Sequence, residues 1–410
     1  MAFNRRDFIK VCSGLFTSLA YCSAKPWVAF SAGRPTIRIG VISTLSGFLV
    51  DFGRGAIQAA KIAVEEFNNK GGILGRPVEL YILDDSGKAV DVVRGIHQLA
   101  HQDAVAILGS AVMFQNKDVS HAAESAEIPL FLLNPFRGDF SSDRLSYTFR
   151  LQPQANLLVI QMVAYLLELA KRKGIMIREI GVFSDKHDLW QESLNSIYEL
   201  ARKNRIRIKF NYQFPPPYPY PEMKRGLDTI FEKIRTKRVD IMVVLGYPSQ
   251  MNVLVQGMKQ AGIRSKAVVG FSNLAVSNPW FVKEQGRTLI NVIDANYWGN
   301  PRSAVVRSFA ERFYAVHGSA PSNDAYQAYS IMQVLKDAIS YGRTTDCRRI
   351  SRILHERAFP NHVLAQREPI RFDRMGQNVN AQTVLLQVSN PVPKIIYPDA
   401  FSEMEPVFEL

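Results

Sequence analysis

Residues 36–85 read TIRIGVISTLSGFLVDFGRGAIQAAKIAVEEFNNKGGILGRPVELYILDD, and this stretch decides the fold. Residues 36–43 alternate in the manner of a strand and run into a glycine-containing loop over 44–53. The period then changes. Ile57, Ala60, Val64 and Phe67 recur at three- and four-residue steps and place one apolar face on a helix. Gly71-Gly72 stop that helix, and with Gly75 they turn the chain where the backbone needs positive φ. Residues 78–83 make a second strand, closed by Asp84-Asp85. Strand, helix and strand in fifty residues imply a right-handed crossover and a parallel sheet.

The same alternation continues outward. A helix carries Val92, Val93, Ile96 and Leu99 inward, followed by a strand over 104–109, a helix over 118–126 and a strand over 129–133. After Phe149-Arg150 the pattern restarts, with helices over 156–173, 189–203, 222–235 and 250–261. Strands over 179–183, 206–213, 239–245, 266–271 and 289–294 interleave with them. Helices over 303–316, 323–340 and 346–357 follow, and the tail is strand-rich at 370–373, 383–388 and 393–396. The expected fold class is α/β: two doubly wound parallel-sheet halves, with ligand chemistry at the carboxyl ends of the strands and in the crevice between halves.

Composition narrows the function. At 410 residues, 47% hydrophobic and 21% charged, the chain is neither disordered nor fibrous. No run of 18 apolar residues offers a strong membrane-spanning helix. Three cysteines, Cys12, Cys22 and Cys347, make no disulfide scaffold and no CxxC zinc motif. The net charge of +13 is the unusual value, and its location matters more than its size. Asn4-Arg5-Arg6-Asp7-Phe8-Ile9-Lys10, followed by a mildly apolar segment, resembles a twin-arginine export signal, with cleavage expected near Ser31. The alternative is a basic amino-terminal helix of a cytosolic protein. Removing residues 1–31 takes four of the 50 basic groups and one of the 37 acidic ones, leaving +10. The remaining basic clusters, such as Lys171-Arg172-Lys173 and Lys233 to Arg238, read as dispersed helix ends where cations suit the helix dipole. No nucleic-acid-binding signature accompanies them, so nucleic acid is discounted.

Several short motifs, taken in register, carry a specific resemblance. Ser46-Gly47, Gly71-Gly72-Ile73-Leu74-Gly75-Arg76-Pro77, Asp84-Asp85, Ala106-Ile107-Leu108-Gly109 and Ile128-Pro129 are joined by Tyr147-Thr148-Phe149-Arg150, Leu245-Gly246-Tyr247, Ala328-Tyr329 and Phe372-Asp373 with Gly376. Together they span residues 36–390. The chain resembles the branched-chain amino-acid-binding (Leu/Ile/Val-binding) family, type I periplasmic binding proteins of ABC importers. The resemblance implies two lobes joined by a three-stranded hinge, a Venus flytrap that closes over a small molecule and is read by a membrane ABC permease. Closure of this kind is a population shift driven by better contacts in the closed state. The implied hinge crossings lie near 149–151, 297–300 and 376–380. The implied organisation is an export signal at 1–31, a first lobe from 32–150 and 298–376, and a second from 151–297 and 377–410. The implied location is the periplasm, reached through the twin-arginine export machinery.

The family's binding positions carry over one at a time. The aromatic residue before a glycine in the first loop is Phe52. The serine serving the ligand's head group falls at Met113. The next loop's threonine falls within Phe136-Arg137-Gly138, with Asn134 at the adjacent backbone contact. In the second lobe a tyrosine is replaced around Leu189-Trp190, while Tyr247 is kept. The acid that meets the ammonium falls at Ser272, and Asp324 stands where an aromatic precedes Ala-Tyr. Two hydroxyls and an acid that would hold a zwitterion are therefore missing, and burying such charges unpartnered costs several kcal/mol. Phe52, Phe136, Trp190 and Tyr247 suit a flat or aromatic compound. The expected ligand is an aromatic acid, amide or related metabolite rather than an amino acid. The alternative is that loop lengths shift this register.

Other chemistry reads weakly. His97 and His101 stand at i, i+4 but have no third ligand at matching spacing, so no metal site is expected. Asp84 and Asp85, consecutive in a strand, point to opposite faces and cannot readily share a proton. No nucleophile elbow, phosphate loop or dinucleotide fingerprint is present, so no enzyme and no cofactor are expected. FPPPYPYP at 214–221 reads as a polyproline II surface connection or, alternatively, a docking segment. The second function class is a ligand-sensing regulator similar to the amide-sensing relatives, which export would exclude.

Overall fold

The computed structural model describes residues 35–46, 50–109, 117–133, 145–186, 190–214, 220–272, 274–285, 287–389 and 392–409. The export-signal reading of residues 1–31 lies outside them.

Two sheets form the frame, the first all-parallel and the second mixed, where two all-parallel sheets were expected. The first has the order β2-β1-β3-β4-β5, from β1 (Ile37–Ser43), β2 (Val78–Asp84), β3 (Ala104–Leu108), β4 (Leu130–Leu132) and β5 (Thr148–Arg150). Its covering helices are α1 (Val50–Asn69), α2 (Ala89–His101) and α3 (Lys117–Ser125). The second sheet has the order β14-β13-β10-β9-β8-β6-β7. Its parallel members are β6 (Glu179–Ser184), β7 (Arg207–Gln213), β8 (Ile241–Leu245), β9 (Ala267–Phe271) and β10 (Ile293–Asn296). Helices α4 (Ala155–Arg172), α5 (Gln191–Lys203), α6 (Tyr220–Ile234) and α7 (Pro248–Gln260) alternate with these strands, and the short α8 (Leu274–Ser277) and α9 (Pro279–Glu284) precede β10. The chain then makes α10 (Ala304–His317), α11 (Asn323–Gly342) and α12 (Cys347–Glu356), the two-stranded pair β11 (Ala358–Phe359) and β12 (Ile370–Arg371), and the antiparallel hairpin of β13 (Val384–Ser389) and β14 (Val392–Tyr397).

The apolar periodicity accounts for most of this. Strands β1, β3, β8 and β9 are buried almost throughout, as parallel strands covered on both faces must be. Gly71, Gly72 and Gly75 adopt φ of +91°, +76° and +69°, as their turn demands. Leu74 between them is also left-handed, at +55°. Three local expectations change. The strand expected over 289–294 begins only at Ile293, because 288–291 is a turn with Asn291 at φ +69°. Tyr220 and Pro221 open α6 rather than extending a polyproline segment; residues 215–219 lie outside the described residues. Thr148–Arg150, read as a boundary, is the edge strand β5.

Cys347 packs in the first half with its Sγ 3.5 Å from the Val105 carbonyl oxygen. Burial, then the charge of Asp346, pushes its thiol up to about 11. With residues 1–31 removed it is the remaining thiol, and its thiolate fraction at pH 8 is far below that of a free cysteine. Ellman's reagent is expected to modify it about 100-fold more slowly in the native protein than in urea.

Candidate functional site

The site grows from the carboxyl ends of the two sheets. In the first half, β1 delivers Thr44, whose hydroxyl donates to Asp85 Oδ1 at 2.7 Å, and the Gly87 amide donates to the same oxygen at 2.9 Å. Asp85 is fully buried, while its neighbour Asp84 is exposed and accepts from the Leu45 and Ser86 amides, both at 2.9 Å. Burial would raise the Asp84 carboxyl, but these amides outweigh it and hold the group below its ordinary value. The two acids thus face opposite ways and tie the loop after β1 to the loop after β2. Gly53 lets α1 start close by: a Cβ there would stand 2.1 Å from the Thr44 carbonyl oxygen. Phe52 lies in the first turn of α1, and its side chain is outside the described residues, as are Met113, Asn134 and Phe136.

In the second half, β8 ends at Leu245-Gly246-Tyr247. The Tyr247 amide donates to Gln250 Oε1 at 2.9 Å, and Gln250 Nε2 donates to Asp185 Oδ2 at 2.7 Å. Tyr247 is half-buried, and burial followed by the Asp185 charge pushes its hydroxyl up to about 12. It is therefore a protonated donor throughout the neutral range. Trp190 is buried in the core of this half, with its ring edge-on to Tyr247 and to Phe271, centroids 6.4 Å apart in each case. Ser272 is buried at the end of β9 in the left-handed region, φ +43°, and its amide donates to the Ala295 carbonyl at 2.8 Å.

Between the halves lies a buried polar network that residue-by-residue reading did not foresee. The chain passes between the sheets three times: after β5, after β10 and before β13. The first and third passages pair directly, with Arg150 N donating to Gly376 O at 2.8 Å and Asn378 N to Arg150 O at 2.9 Å. Side chains add to this: Gln377 Nε2 donates to Gln152 O at 2.8 Å and Asn378 Nδ2 to Leu151 O at 3.0 Å. The second passage pairs with residues 363–365 through Asn300 N to Val363 O and Ala365 N to Trp298 O, both 2.8 Å. Asn378 then reaches Gln366 Oε1 at 3.0 Å, closing the circuit. Asp324 sits here, buried in the first turn of α11, with its Oδ1 3.2 Å from the Tyr297 hydroxyl. That hydroxyl also lies 2.9 Å from Gln327 Oε1, and Gln327 Nε2 donates to the Gln152 side chain. Burial and Asp324 push the Tyr297 hydroxyl well above its ordinary value, so it too keeps its proton. The signal available in sequence was the polar run Ser322-Asn323-Asp324, followed by Gln327, at the start of the helix.

A cavity of about 200 Å³ opens where the halves meet. Arg54 and Gly55 of α1, Phe313 and His317 of α10, and Ser319, Ala320 and Ser322 before α11 line one side; Asn278 and Trp280 of the second half line the other. Burial, then the charge of Arg54, lowers the His317 pKa. This volume is below the roughly 300–1,000 Å³ of typical ligand pockets and has room for a small compound. His97 and His101 are both exposed on α2, and among the described residues no group of three His, Cys, Asp or Glu side chains converges.

Two doubly wound halves joined by three passages, with polar groups gathered at the strand ends and a cavity lined from both sides, define the type I periplasmic binding protein fold. The chain belongs to the periplasmic binding protein family, whose model matches residues 36–389. It is similar to the Leu/Ile/Val-binding protein homolog 8 of Brucella suis biovar 1, 23% identical over 387 residues that cover 90% of this chain and 93% of that one. A putative branched-chain amino acid ABC transporter from Silicibacter pomeroyi has the same fold, with a TM-score of 0.76 at 17% identity, covering 92% of this chain and 99% of that one. So does a solute binding protein from R. palustris in complex with benzoate, with a TM-score of 0.73 at 11% identity and coverage of 90% and 98%.

Proposed function

We propose that the chain is an exported solute-binding protein that captures a small molecule between two closing halves and presents it to a membrane ABC permease. Residues 1–31 would direct it to the periplasm through the twin-arginine machinery and be cleaved near Ser31. Its first lobe would comprise 32–150 with 298–376, its second 151–297 with 377–410, and the three passages would be the hinge. The observation that carries this reading is the set of three passages between the two sheets, tied together by backbone and side-chain hydrogen bonds, beside a cavity lined from both halves. Family membership supports it.

The ligand we favour is an aromatic acid or amide. The carried-over positions Met113, Phe136 and Ser272 lack the groups that would hold an amino acid's two charges, and Phe52, Phe136 and Tyr247 would supply rings, with Trp190, buried rather than facing a ligand, backing Tyr247 from the core. Asn134 and Asp324 complete the proposed set. Neutral Tyr247 would donate a hydrogen bond without bringing charge. A melting screen with benzoate, benzamide, phenylacetamide, leucine and isoleucine tests this. A ligand at 100 times its Kd adds about 2.7 kcal/mol to stability. The aromatic compounds are expected to raise the Tm by about 3–5 °C. A rise with leucine and none with the aromatic compounds would refute the ligand class.

A further inference from the structure

The register of the second sheet gathers charges that the sequence scatters. Arg207, Glu179, Asp240 and Lys266 stand side by side at the amino ends of neighbouring strands. Arg207 N donates to Arg178 O, Asp240 N to Glu179 O and Lys266 N to Asp240 O, each at 2.8 Å. The two acids in this row are already engaged, Glu179 by Arg207 and Lys209, and Asp240 by Lys266 at 2.7 Å. What this pole leaves to solvent is basic. Arg235 and Arg238 from the turn before β8 and Arg264 from the turn before β9 are exposed, and among the described residues no carboxylate pairs with any of them. They border an open groove of about 900 Å³, in which Glu409 is the one further acid.

Apolar side chains are exposed on segments that adjoin this groove. Met176 is 61% exposed, and its carbonyl accepts from Lys266 Nζ at 3.0 Å. Val407 is 37% exposed and is pinned beside β13, its amide 2.9 Å from Gln387 Oε1. Uncommitted guanidinium groups with exposed apolar side chains on adjoining segments are the composition of a surface that rests on anionic lipid: cations meet headgroups while the apolar groups enter the interfacial layer. A polyphosphate or nucleic acid would use the cations and leave Met176 and Val407 without a role. We propose that this pole of the second half docks on an anionic phospholipid membrane.

Co-sedimentation of the full chain with phosphatidylglycerol-containing vesicles, against pure phosphatidylcholine vesicles, tests the proposal. Binding is expected only to the anionic vesicles and should fall at high salt. The triple variant Arg235→Ala, Arg238→Ala, Arg264→Ala should lower the partition coefficient on the order of 100-fold. Its circular-dichroism melt should match the parent's. Residues 1–31 are common to both proteins, so the difference belongs to this pole. Met176→Ser with Val407→Ser should weaken binding by a smaller factor. Equal binding by parent and triple variant, equal binding to neutral vesicles, or arginine-dependent retention on heparin without arginine-dependent vesicle binding would each overturn it.

Discussion

Gly376→Ala is expected to lower the stability of the protein by about 4 kcal/mol or more, because two independent costs fall on one methyl group. The backbone of Gly376 sits at φ +68°, which an L side chain adopts only with strain. A Cβ there would also stand 1.8 Å from the Thr148 carbonyl oxygen. The segment cannot retreat, since Gly376 O accepts from Arg150 N at 2.8 Å and this bond joins the first passage to the third. At roughly 1–2 °C per kcal/mol for a chain of this size, the Tm should drop by about 5 °C. Gly174→Ala is the internal control: it has the same φ of +68° but nothing within 4 Å of the added methyl, so it should cost only about 1 kcal/mol. Similar melting of the two variants would mean that the close approach at Thr148 is not as described.

Gln327→Leu should cost roughly 3 kcal/mol, although leucine fills similar volume. Gln327 is fully buried; its oxygen accepts from Tyr297 and its nitrogen serves the Gln152 side chain. Leucine would leave the Gln152 side-chain oxygen without this donor and the Tyr297 hydroxyl with its longer 3.2 Å contact to Asp324, and each polar group so deprived costs about 1–3 kcal/mol. Coupling is the sharper readout. Tyr297→Phe should cost less in the Gln327→Leu background than in the parent, with an interaction energy of about 1 kcal/mol in chemical denaturation. Strict additivity would show that the two side chains do not act as one network. Such a network would matter for the proposed closure because it ties all three passages together, and motion of one half against the other would have to bend those segments while keeping their polar atoms paired.

The frame was legible from residue 36 onward because parallel strands buried on both faces advertise themselves as short apolar runs, and the helices between them keep the 3.6-residue period. Local signals failed where tertiary context decides. Thr148–Arg150 is three residues long and becomes a strand only by pairing with β4. The strand at Ile293 is preceded by Leu289 and Val292, which are buried as a strand's would be, yet Leu289 sits in a turn and Val292 in the link that follows it. The candidate site was legible as positions rather than as geometry. Tyr247 and Asp324 could be picked out, but that Asp324 meets Tyr297, and that Gln327 bridges to Gln152 across 175 positions of sequence, depends on how the passages lie together. The same holds for charge. Arg238 and Arg264 look like unrelated helix ends in the chain, and the register of β8 and β9 makes them neighbours.

The central claim is that two halves close on a small ligand, and small-angle X-ray scattering tests it most directly. The radius of gyration should be measured without ligand and with the compound that gives the largest melting shift at saturation. Closure predicts a smaller radius of gyration with ligand, and the decrease should be lost when the compound is dialysed away. An unchanged radius at saturating ligand would contradict capture by closure.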